Sequence, residues 1–160
     1  MLFSFEWLIT KCISDPTFTN RLEKNKIRGI LARILKKFTE YSAYTLEQLK
    51  ESDRHFRFIT KESQKEIIIE KISKYHWDRK SIRWLLSVSR ICQLSLGNKE
   101  ERVIGILEQV NNSQKHPERN HLFWPLHLDF EHARHPNLKK KDISKLDLVC
   151  IMDEKNCLYH

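Results

Sequence analysis

The sequence predicts a mainly α protein: a helical domain over residues 1–110, followed by a short two-stranded β unit within residues 111–160. Three observations carry that prediction. Apolar residues recur at i, i+3 and i+4 through the first two thirds of the chain, the spacing of a helix that buries one face. Only 3 Gly and 4 Pro interrupt 160 residues, and 40% of the residues are hydrophobic, enough for a core. Beyond about residue 111 the helical period stops and short alternating runs replace it.

Residues 2–13 place Leu2, Phe5, Leu8 and Ile9 on one face of a first helix, which the breaker "SDPTFTN" ends. A second helix is expected over 24–42, with Ile27, Ile30, Leu31, Ile34, Leu35 and Phe38 inward. Lys24, Lys26, Arg28, Arg33, Lys36 and Lys37 occupy its other face, which is either solvated or turned to phosphates. Thr45, with Gln48 three residues on, has the form of a capping box for a short helix to about residue 51. Residues 60–74 read as a helix with Ile67, Ile68 and Ile72 inward.

The stretch "HWDRKSIRWLLSVSRICQLSL" reads as the most apolar helix, with Trp77, Ile82, Trp84, Leu85, Val88, Ile91, Cys92 and Leu96 assigned to the core. Gly97 would end it, and Asn98 would cap a last helix to about residue 110. The central core is expected to include Ile30, Ile34, Trp84, Leu85 and Val88.

"NNSQKHPERNH" is a polar connector without a period. After it, "LHLDF" alternates, so Leu126, Leu128 and Phe130 share one face of a strand over about 126–131. "KLDLVCIM", rich in Val, Ile and Leu, reads as a second strand over about 146–151. The basic loop "ARHPNLKKKDIS" joins them, and "DEKN" would begin a further helix.

Lys and Arg number 29 against 21 Asp and Glu, a formal charge of +8. That balance favours a polyanionic partner, DNA above all, although scattered surface lysines would give the same total. The four cysteines, at 12, 92, 150 and 157, form no C-x-x-C pair and are read as structural, reduced thiols. Neither a signal peptide nor a membrane span is legible, so a cytoplasmic protein with no membrane role is expected. No Gly-rich phosphate loop occurs, which argues against a nucleotide-hydrolysing domain in these residues.

The C-terminal layout resembles the His-Asn-His (ββα-metal) nuclease region of GmrSD-type restriction endonucleases. The residues that carry the resemblance are Phe130-Glu131-His132 with Pro136, then Leu146-Asp147-Leu148, then Asn156. More loosely, Asp15 to Phe18, Trp77 and "IRWLL" are similar to the helical segment that precedes the nuclease module. The resemblance implies a DNA-directed protein of restriction or defence type that hydrolyses phosphodiesters if its site is complete. It places His132 as general base, Asp147 as the group orienting it, and Asn156 as a further catalytic position. It also implies an incomplete ββα unit that lacks most of its last helix, and a protein partner that supplies a missing domain.

Two departures stand out: the family's Gly-Asn is Leu146-Asp147 here, and the sequence runs only four residues past Asn156.

The residue chemistry is compatible with this. Histidine accepts a proton near neutral pH, and carboxylates suit a hard divalent ion that stabilises a leaving oxygen. Asp129 and Glu131 are the candidate ligands for Mg or Mn, with His135 added where the ion is Zn. His121 and His127 stand nearby, and the spacings of the three histidines match no closed zinc pattern. A non-catalytic helical module that binds nucleic acid or protein remains the alternative.

Overall fold

The frame of the molecule is a five-stranded mixed sheet. The computed structural model describes residues 1–10, 13–15, 18–23, 29–52, 56–96, 101–110, 120–129 and 148–150. In chain order, the elements are β1 (Leu2–Phe3), β2 (Ser14–Asp15), β3 (Phe18–Thr19), β4 (Arg21–Glu23), α1 (Ile30–Ser42) and α2 (Leu46–Ser52). There follow β5 (Arg57–Phe58), α3 (Glu62–Tyr75), α4 (Arg79–Val88), β6 (Arg90–Ser95), β7 (Arg102–Gln109), β8 (His121–Asp129) and β9 (Leu148–Cys150). Strands β5 to β8 are antiparallel neighbours, and β1 lies parallel to the far side of β8.

Successive strand residues point to opposite faces, and each face carries its own core. Cys92, Leu94, Val103, Leu107, Phe123 and Leu128 pack on one side with Ile30, Ile34, Phe38 and Tyr41 of α1 and Leu46 and Leu49 of α2. Ile91, Ile104, Ile106 and Leu126 pack on the other with Ile68 and Ile72 of α3 and Ile82 and Leu86 of α4. The protein is therefore a three-layer α/β/α sandwich.

This corrects the mainly α expectation. Residues 2–13, expected as a helix, begin with strand β1, which pairs Leu2 with Leu122 and Phe3 with Phe123. The long helix expected over 77–96 stops at Val88 and continues as β6. The helix expected to about 110 is strand β7, buried from Arg102 to Leu107. The expected pair of C-terminal strands does form as two strands, but not as a unit. Strand β8 joins the main sheet, whereas β9 pairs antiparallel with β4, Arg21 opposite Cys150. Among the described residues, β8 and β9 do not pair with each other.

The physical reason lies in the burial of the sheet. Strands covered on both faces carry apolar residues at consecutive positions, and "RVIGILEQ" fits a helical spacing as well as a buried strand. Tertiary pairing decides between them. The β7–β8 pair also needs Gly105, where a Cβ would meet the Trp124 carbonyl oxygen and would come within 2.6 Å of the Phe123 ring. A bulge in β8 falls beside it, at the register shift between Ile104 and Gly105.

Three expected helices form. In α1 the buried stripe is Ile30, Ile34, Phe38 and Tyr41, and Gly29 precedes it in the left-handed region at φ 74°. Leu35, expected inward, is off that stripe and exposed. In α2 the capping box closes in both directions: the Gln48 N–H donates to Thr45 Oγ1 at 3.2 Å, and the Thr45 N–H donates to Gln48 Oε1 at 2.8 Å. In α3, Ile68 and Ile72 are buried and Ile67, also expected inward, is exposed. Cys92 is fully buried, and desolvation pushes its thiol well above the ordinary range. No helix among the described residues is long and apolar enough to cross a membrane.

Candidate functional site: a polar sheet end and an indole groove

Of the candidate site residues, Asp129 is placed, as the last residue of β8 and 2% exposed. Glu131, His132, His135, Asp147 and Asn156 lie outside the described residues, as do Phe130, Pro136, the loop Lys139-Lys140-Lys141, and the Gly97-Asn98 stop and cap.

Around Asp129 the sheet turns polar. Asp129 lies opposite Arg102 in register, and Arg102 opposite Ser95, so three adjacent strands set an acid, a base and a hydroxyl in one row. One Arg102 Nη1 donates to Ser95 Oγ at 3.2 Å and to the Glu101 carbonyl oxygen at 2.7 Å. Two rows inward, on the same face, Gln93, Ile104 and His127 lie side by side, and the Phe18 ring stacks on His127 at 3.9 Å between centroids. On the opposite side of the sheet, Arg33 of α1 forms an ion pair with the buried Glu101.

A buried guanidinium is costly without compensation, and Asp129 is the acid placed opposite Arg102 in the strand register. Ser95, Arg102, His127 and Asp129 are each at most 4% exposed, so this end of the sheet is buried. Among the described residues, no group of three or more His, Cys, Asp or Glu comes together to hold a metal ion. Asp129 has a cation as its cross-strand neighbour, and the other candidate ligands, Glu131 and His135, lie outside the described residues.

A second place is open to solvent. The sequence reading put Trp77, Trp84 and Val88 in the core, but they are 73%, 66% and 63% exposed. Ile82 and Leu86 already fill the inward stripe of α4. Trp84, two residues from either, is turned about 200° away from them at 3.6 residues per turn. The signal was present: four inward positions per two turns is all that a helix can bury against one sheet.

Lys80, Ser81, Trp84 and Leu85 of α4 line a groove of about 540 Å³, closed on its other side by Trp7. Trp7 also stacks nearly parallel on Trp77, with centroids 6.0 Å apart and 11° between planes, so three indoles border one surface. Behind them His76 is buried and stacks on Trp7 at 5.5 Å. The Asp78 N–H donates to His76 Nδ1 at 3.0 Å, which fixes the turn presenting Trp77.

Asp78 also caps α4. Its carboxylate accepts the Ser81 N–H at 3.0 Å, and this hydrogen bonding holds its pKa below the ordinary aspartate range. Along α4 itself there is no acid, while Arg79, Lys80 and Arg83 are exposed.

No family model, no curated protein and no solved structure matches the chain.

Proposed function

We propose that this protein binds nucleic acid, and that α4 is the element meeting the phosphates. The observation that carries the reading is the acid-free outer face of α4, on which Arg79, Lys80 and Arg83 stand exposed within five residues. Rows at i, i+3 and i+4 bring these three cations to one side of the helix. The formal charge of +8 adds a long-range attraction for the same polyanion.

Each Lys or Arg that neutralises a phosphate releases a condensed counterion, so binding of this kind weakens as salt rises. The test is fluorescence anisotropy with labelled DNA across a salt series, for the wild-type protein and for the triple variant Arg79→Glu, Lys80→Glu, Arg83→Glu. For a single strand, three phosphate contacts predict a log–log slope of about −2, and the triple variant is expected to flatten it. Affinity that ignores salt, or survives the triple reversal, overturns the reading. Adding Mg, Mn or Zn singly to the same preparation tests the cleavage that the Glu131-His132 segment suggests. Cleavage that His132→Ala abolishes would support phosphodiester hydrolysis as a second activity.

A further inference from the structure

The groove beside α4 carries more than charge. Trp77 and Trp84 leave most of their surface in water, in contrast to Trp124, which is partly buried and whose Nε1 donates to Glu108 Oε2 at 3.0 Å. An indole has a large apolar face, and two such faces kept open beside three cations suit an occupant that is both flat and anionic. Unpaired nucleobases on a phosphate chain are both; bases inside a duplex are stacked on one another and do not offer their faces.

We propose that this groove binds single-stranded DNA, with unpaired bases stacking on Trp84 and Trp77 while Arg79, Lys80 and Arg83 contact the phosphates. The inference rests on the nucleic-acid reading above and deepens it to a strand class and a site.

The dimensions agree. A volume of about 540 Å³ lies within the range of sites that enclose a small molecule or a single nucleotide. Lys80 and Trp84 are i, i+4 neighbours on α4, so a phosphate at Lys80 leaves the attached base over the Trp84 ring. Ser81 is the lone hydroxyl of the lining, so the groove offers little to read a ribose 2′-OH, and DNA is the occupant assigned. Asp78, the acid beside these cations in sequence, caps α4 through the Ser81 N–H and leaves a net excess of positive charge with Arg79, Lys80 and Arg83.

The test compares a fluorescein-labelled oligothymidine with a duplex of the same length and with the equivalent RNA strand. It uses the wild-type protein and the variants Trp84→Ala, Trp77→Ala and Trp84→Phe. Because both indoles are mostly exposed, the alanine variants are expected to keep the wild-type far-UV spectrum and melting temperature. Trp84→Ala should weaken single-strand binding about tenfold, Trp84→Phe should recover much of it, and the salt slope should stay as in the wild type. Duplex binding should be weaker than single-strand binding in the wild type and should not respond to Trp84→Ala.

Equal single-strand affinity in wild type and both alanine variants, with salt dependence intact, overturns the groove and leaves the phosphate-binding reading standing. No binding of any nucleic acid by the wild type overturns both. Tighter binding of the RNA strand overturns the choice of DNA, and self-association abolished by Trp84→Ala shows the surface to be an interface between copies.

Discussion

Asp129 illustrates how one side chain can satisfy two readings until its neighbours are known. In sequence it precedes Phe130-Glu131-His132 and suits a metal ligand; in the fold it stands across the strand pair from Arg102, with both at most 4% exposed. We expect the two opposed charges to compensate each other, so removing the acid should cost about 3–5 kcal/mol. Asp129→Asn is therefore expected to lower the denaturation midpoint sharply. The double substitution Asp129→Leu with Arg102→Met should regain most of the loss, since a buried pair replaced by packed apolar groups is often neutral. Chemical denaturation of the three proteins checks this. Unchanged stability in Asp129→Asn would mean that the carboxylate is kept for a ligand instead of for Arg102.

At the scale of elements, α2 is the clearest case of local sequence deciding local structure. Seven residues are too few to hold a helix by propensity alone, so α2 depends on its cap and on the burial of Leu46 and Leu49. Thr45→Ala removes the hydroxyl that accepts the Gln48 N–H and is expected to cost about 1 kcal/mol, while Thr45→Ser keeps it. Equal stability of the two variants in urea titrations would show that packing carries α2 without the cap.

The same element was legible in advance because both halves of its signal lie three residues apart. Helices α1 and α3 were legible because one face is wet, so their apolar stripes stand out against Lys and Glu. Strands β6 and β7 were not, because both of their faces are dry and the period of two disappears into a continuous apolar run. The site followed the elements. Asp129 was placed on a strand because "LHLDF" alternates; Arg102 and Ser95 were missed because their strands were read as helices. Trp84 was missed because an indole on an apolar helix is usually core.

Across the whole molecule, one sheet serves two cores, and this joins the layers thermodynamically. Ile34 belongs to the core under α1 and α2, Ile82 to the core under α3 and α4, and each is at most 5% exposed. Truncating either to alanine removes buried methyl groups and leaves a cavity, at a cost of about 2–5 kcal/mol. If the layers were independent, each cavity would destabilise its own side alone. They share β6, β7 and β8, whose alternate residues pack into both cores, so losing one layer strips the sheet that supports the other.

The four tryptophans make this measurable. Trp7 and Trp124 pack against the α3/α4 core, Trp77 stacks on Trp7, and Trp84 lies on α4, so indole fluorescence reports that layer alone. Far-UV circular dichroism reports both. In Ile34→Ala the cavity is on the side without tryptophan, yet fluorescence and dichroism are expected to fall together at the same, lowered denaturant midpoint. A fluorescence transition that stays at the wild-type midpoint while dichroism loses an early fraction would show the α1/α2 layer melting by itself. The sheet would then be an attachment between two separately stable layers, and the single cooperative sandwich argued from its register would be wrong.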